Sequence, residues 1–132
     1  MTTVVDASVV VAWLVDGGPD GQWAEEVVLA GELIAPHHLP LEVANVLRRS
    51  VAAGTLGPET ASLAHADLLD LPVALVPYEP VAERAWGLRH TLTSYDAAYV
   101  ALAERLDAPM ATLDLRLTRA PGPICEFLTP EA

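Results

Sequence analysis

From its first residues the chain alternates between short β-branched runs that stop at an acid or a turn and longer segments whose apolar residues recur at helical spacing. That alternation is its strongest constraint. A strand whose following helix returns to a parallel neighbour closes right-handed and covers the faces of a parallel sheet with helices. Thr2 to Val5 is the first such run; it ends at Asp6, and Ser8 to Val15 reads as a buried helix. Gly17, Gly18, Pro19 and Gly21 then break the chain. Asp20 is placed to cap a helix from Gln22 to Ala30, and Leu33 to Ala35 reads as a strand.

Pro40 suits the first position of a helix, and Val43, Val46, Leu47 and Val51 repeat at helical spacing as far as Gly54. A helix from Pro58 to Leu69, a strand from Val73 to Val76, and a helix from Pro80 to His90 with Val81, Ala85 and Leu88 inward follow. Ser94 is the expected cap of a stripe made by Tyr95, Ala98, Tyr99, Leu102 and Leu106. Met110 to Leu113 reads as a strand, Arg116 and Arg119 lie on a short helical turn, and Ile124 to Leu128 reads as an edge strand. The expected fold is α/β, a three-layer α/β/α arrangement around a mostly parallel sheet of four to five strands, with residues 1–132 as one domain.

In such a sheet the C-terminal ends of the strands and the N-terminal ends of the following helices share one edge, where ligands bind. Asp6 and Asp114 directly follow expected strands, and Glu42 and Asp96 sit in the first turns of expected helices, so all four belong to that edge. Each alone reads as a helix-start acid that favours free amides and the positive end of the dipole. Together they repel in a low-dielectric pocket unless a cation compensates. An all-oxygen donor set favours Mg²⁺ or Mn²⁺ over zinc, although His37 and His38 leave zinc open. Both histidines read as incidental loop residues. The natural chemistry of such an ion is phosphodiester hydrolysis, which makes Asp6, Glu42, Asp96 and Asp114 the candidate catalytic and metal-holding residues.

Charge narrows the function further. Eighteen acids face seven arginines, there is no lysine, and the formal net charge is -11. Without lysine there is no phosphate-binding loop ending in Gly-Lys-Ser/Thr, no Schiff-base lysine and no receiver-type phosphoacceptor site. So negative a surface also argues against tight nonspecific nucleic-acid binding, which depends on neutralising phosphates. Arg48 and Arg49, or Arg116 and Arg119, are the candidates for leading a phosphate backbone toward the acids.

The single Cys125 excludes an internal disulfide and reads as a small buried residue. Trp13, Trp23 and Trp86 are expected in core or subunit-interface packing, and His65 and His90 at the surface. The longest apolar run, Val9 to Val15, is far short of the roughly 20 residues that span a bilayer. With no basic leader and with Asp6 interrupting any apolar signal core, the expected location is the cytoplasm, away from membranes.

Four segments carry a resemblance: Val4-Val5-Asp6-Ala7-Ser8, the run from Pro40 to Arg48 around Glu42, the run from Tyr95 to Ala103 around Asp96, and Ala111-Thr112-Leu113-Asp114. In order and spacing they resemble the PIN-domain ribonucleases, specifically the VapC-type toxins of bacterial type II toxin-antitoxin pairs. The resemblance places Asp6, Glu42, Asp96 and Asp114 on the family's four acidic positions. It implies that Asp6 and Asp96 are direct metal ligands, that Glu42 and Asp114 complete the site, and that Ser8 and Thr112 are polar neighbours. It further implies Mg²⁺- or Mn²⁺-dependent endonucleolytic cleavage of RNA, a homodimer, and a cognate antitoxin whose tail blocks the pocket. A haloacid dehalogenase phosphatase needs a second Asp two residues after the first, where Ser8 stands. The remaining alternative is a PIN-like RNA- or protein-binding module that keeps the acids as caps or as a docking surface.

Overall fold

A computed structural model describes residues 1–131. Among the described residues, five strands form one sheet in the order β3-β2-β1-β4-β5, and every pairing is parallel. The strands are β1 (Thr2–Val5), β2 (Glu32–Pro36), β3 (Val73–Val76), β4 (Met110–Ala111) and β5 (Phe127–Leu128). Between them lie α1 (Ala7–Val15), α2 (Pro19–Leu29), α3 (Leu39–Ala52), α4 (Pro58–Leu69), α5 (Ala82–Gly87), α6 (Ser94–Leu106) and α7 (Leu115–Arg119). The sheet grows outward from β1 through β2 to β3, then restarts on the other side of β1 with β4 and β5. Right-handed crossovers in opposite directions put α1 to α4 on one face and α5 to α7 on the other. The three layers and the strand count match the expectation, and the sheet is wholly parallel.

The central strand is apolar because both its faces are covered: Val4 and Val5 are fully buried, as is Met110 on β4. Above it, α6 packs on β1, β2 and β4 and against α5. Its stretch Ala97-Ala98-Tyr99-Val100-Ala101-Leu102-Ala103 is buried on every side. Four alanines let the helix lie close to the sheet, while Tyr99, Val100 and Leu102 supply the bulk; fully burying one such aliphatic side chain contributes about 1.5–3 kcal/mol. The expected stripe is therefore right only in its middle, since Tyr95 and Leu106 at its ends are 64% and 43% exposed.

Several boundaries differ from the sequence reading for local reasons. Asp20 is not the cap of α2: Pro19 opens the helix after Gly18, whose N–H donates to Asp16 Oδ1 at 2.7 Å, and Asp20 falls inside the first turn. Thr93, not Ser94, caps α6, its Oγ1 accepting the Asp96 N–H at 3.1 Å. The expected helix from Pro80 to His90 divides into a 3₁₀ turn over Glu79–Val81 and the short α5, yet Val81, Ala85 and Leu88 do face inward. Strands β4 and β5 are shorter than expected, and Ile124 is 82% exposed. Cys125 is only partly buried. Trp13 and Trp23 pack against the core, whereas Trp86 is 61% exposed with the Arg89 guanidinium 4.8 Å from its ring. Among the described residues, no helix is long and apolar enough to cross a membrane.

Candidate functional site

The restart of the sheet beside β1 creates a switch point between β1 and β4, and the crevice beyond the C-terminal ends of those strands is where open α/β sheets bind ligands. Asp6 follows β1 directly and caps α1. Asp114 follows β4 and caps α7, its Oδ1 accepting the Arg116 N–H at 3.0 Å. Glu42 stands in the first turn of α3, after β2, and Asp96 in the first turn of α6. All four thus hang from the same edge of the sheet.

Asp6 is the most enclosed of them, at 7% exposure. Its Oδ1 accepts the Ser8 hydroxyl at 2.5 Å and the Val9 N–H at 3.2 Å, and its Oδ2 accepts the Thr112 hydroxyl at 2.5 Å. The same two hydroxyls accept from the opposite loop, Ser8 Oγ from the Leu113 N–H and Thr112 Oγ1 from the Asp114 N–H, each at 3.0 Å. Ser8 and Thr112 therefore tie the end of β1 to the segment that carries Asp114. Burial nevertheless outweighs these bonds and pushes the Asp6 carboxyl up to about 6, with the nearby Glu42 charge adding to the rise.

The other acids are linked through their charges. Burial raises the Glu42 carboxyl, the Tyr99 hydroxyl partly offsets this, and Asp96 adds to it. Burial also raises Asp96, helped by Asp114 and opposed by Thr93 and Arg116. Asp6, Glu42, Asp96 and Asp114 form an unbroken series of mutually repelling neighbours. As their side chains stand, however, no three His, Cys, Asp or Glu residues among those described are close enough to hold one ion. Three of the carboxylates accept hydrogen bonds from the protein itself: Asp6 from Thr112, Glu42 from Tyr99 and Asp114 from the Arg116 N–H. By its chemistry, an all-carboxylate donor set of this kind fits a hard divalent cation.

Two residues at this edge escaped the sequence reading. Tyr99 is fully buried, and its hydroxyl donates to Glu42 Oε1 at 2.9 Å across 57 positions of sequence; in the sequence it is only one member of a helical stripe. His38, expected to be incidental, precedes α3 with its Nε2 3.7 Å from Glu42 Oε1. Burial lowers its pKa, so this is no ion pair at neutral pH. His37 is exposed.

The candidate arginines separate. Arg116 is at the site, its Nε 3.6 Å from Asp114 Oδ1 with the side chain 93% exposed. Arg48 is not: six residues past Glu42 it lies about 120° around the helix. There it donates to Asn45 Oδ1 at 3.1 Å and borders a cleft between α3 and α4 with Leu47, Val51 and Ala61.

Comparison with known proteins identifies the family. The PIN domain model matches residues 3–123. Ribonuclease VapC1 of Mycobacterium tuberculosis is 43% identical over 130 residues, covering 94% of both chains. Among solved structures, VapC20 of Mycobacterium tuberculosis, a sarcin-ricin loop cleaving toxin, superposes with a TM-score of 0.67 at 19% identity, over 89% of this chain and 93% of that one. VapBC2 from Rickettsia felis, bound to a DNA fragment from its promoter, gives 0.69 at 11% identity over 98% of each chain. At those identities the two structures speak for the fold, while the sequence match across nearly the whole length speaks for the family. The chain belongs to the PIN domain family, on its VapC branch.

Proposed function

We propose that the chain is a metal-dependent endoribonuclease and the toxin of a toxin-antitoxin pair. The observation that carries this reading is the set of four acids on one edge of a parallel sheet, at its switch point. Asp6 and Asp96 are the direct ligands of Mg²⁺ or Mn²⁺, and Glu42 and Asp114 complete the site. When bound, a divalent cation supplies stabilisation of charge on the phosphate and a lowered pKa for water. Ser8 and Thr112 hold the Asp6 carboxylate in one orientation, Tyr99 holds Glu42, and the exposed Arg116 offers a fork to a phosphate oxygen beside Asp114. The apolar burial around Asp6 strengthens every charge interaction made there.

A cognate antitoxin is the second part of the reading. It is supported by the VapC relatives and by the charge of -11, to which an arginine-rich inhibitory segment is complementary. Beside Ser8 and Glu42 lies a hollow of about 420 Å³ walled by Val11, Val15 and Val46, which gives such a segment an apolar seat next to the acids. The toxin acts as a homodimer in the cytoplasm.

One observation favours the alternative, a PIN-like RNA- or protein-binding module: no three acids converge as the side chains stand. Metal titration decides between them. Mn²⁺ at about a hundredfold excess over its Kd stabilises a single-site protein by about 2.7 kcal/mol, on the order of 10 °C in melting temperature for a domain of this size. The wild type is expected to gain that much and to cut RNA, and Asp96→Asn to lose both while keeping its fold. A wild-type melting curve indifferent to Mn²⁺ and Mg²⁺ would leave the binding module as the function.

A further inference from the structure

His38 carries an anomaly. Its Nε2 is buried and has no hydrogen-bond partner among the described residues. A buried polar nitrogen without a partner is costly enough that native structures rarely keep one unless something else fills the place. The ring packs between two tyrosines: it meets Tyr99 edge-on, with ring centroids 5.0 Å apart at 73°, and Tyr95 at 5.6 Å and 58°. A metal-bound imidazole likewise presents one nitrogen without a protein partner while its surroundings fix the ring's orientation.

What the bare nitrogen faces is equally specific. His38 and Glu42 are four residues apart at the start of α3, on one face of the helix, the spacing at which helical side chains converge on a shared ion. Their donor atoms are 3.7 Å apart. Two neighbouring donors on one small divalent ion, each about 2.1 Å from it, stand roughly 3 Å apart, so a small movement brings this pair to that spacing. Asp96 lies on the same side and acts on the ring through its charge. Glu42 Oε1 is meanwhile fixed by Tyr99.

We propose that His38 Nε2 is a nitrogen ligand of the ion held by the acidic site, and that it makes the site select Mn²⁺ over Mg²⁺. This rests on the metal reading given above and goes beyond it, since a purely carboxylate site has no comparable preference. Both ions favour oxygen donors, but magnesium dehydrates reluctantly and demands near-ideal oxygen coordination, whereas manganese, a first-row transition ion, tolerates one imidazole among its oxygens.

Pulsed electron paramagnetic resonance of the wild-type protein loaded with Mn²⁺ tests this directly, because a coordinated imidazole imprints a ¹⁴N coupling on the manganese signal. The coupling is expected in the wild type and in His37→Asn, and should vanish in His38→Asn. In thermal titrations, His38→Asn should raise the Mn²⁺ midpoint about tenfold and the Mg²⁺ midpoint less than about twofold. Bound Mn²⁺ without ¹⁴N coupling in the wild type would overturn the assignment, and that measurement needs no variant to fold. Equal weakening of both ions by the substitution would overturn the selectivity. If neither ion binds the wild type, the metal reading falls first and this assignment with it.

Discussion

Burial raises the Asp6 carboxyl from 3.8 to about 6, although Ser8, Thr112 and the Val9 amide all favour its charged form. The folded chain therefore binds this proton more tightly than the unfolded one does. The stabilisation is fully present below about pH 4 and is lost as the pH rises through about 6, a total of about 3 kcal/mol. Glu42 and Asp96 shift in the same direction and deepen the loss. In chelator, the melting temperature should consequently fall between about pH 5 and about pH 7.5, and saturating Mn²⁺ should flatten the fall because the cation replaces the protons. Equal melting temperatures at both pH values in chelator would mean that Asp6 is solvated. At this scale the sequence showed a good deal. Asp6 and Asp114 directly follow expected strands, and such positions are local, while Ser8 and Thr112 are marked only by the family resemblance. Tyr99 was hidden because its partner is 57 positions away, and His38 because starting α3 at Pro40 left it in a loop, off the face it shares with Glu42.

Elements were legible where a residue with one backbone preference marks the boundary. Pro58 opens α4, and the run Val73–Val76 is a strand to the residue. Where two residues competed for a boundary, the reading slipped, as with Pro19 against Asp20 and Thr93 against Ser94. In α6 the stripe slipped for another reason: the sheet and α5 enclose the middle of the helix, so Ala98, Tyr99 and Leu102 are buried, whereas Tyr95 and Leu106 at its ends are exposed. The corner between α1 and α2 shows how tightly such elements meet. A Cβ on Gly21 would overlap the Asp16 carbonyl, a backbone group that cannot swing aside, while one on Gly17 would meet nothing within 4 Å. Gly21→Ala should therefore cost on the order of 2 kcal/mol or more in urea unfolding, and Gly17→Ala should stay within about 0.5 kcal/mol. If both variants unfold at the wild-type midpoint, the two helices do not pack at the distance described.

At the scale of the whole molecule, alternating strands and helices required a parallel sheet, but the order of its strands was not legible, because nothing local tells β4 to return beside β1. That return is what makes the site: it opens the switch point and sets Asp114 opposite Asp6 through the Ser8 and Thr112 hydroxyls. Charge is the other global property. With seven arginines against eighteen acids, and Arg84 already engaged by Glu104 at 2.6 Å, little positive surface remains to draw in RNA. The same imbalance accelerates the approach of a basic partner, since a field of one sign raises association rates and salt screens it over a Debye length of about 8 Å at physiological ionic strength. An arginine-rich antitoxin segment should accordingly bind with an association rate that falls at least about tenfold between about 0.05 and about 0.5 M salt, with a much smaller change in dissociation. Stopped-flow mixing at a series of salt concentrations measures both. A flat association rate would mean that the acids serve the cation alone and that the antitoxin is recognised through the apolar hollow beside Glu42.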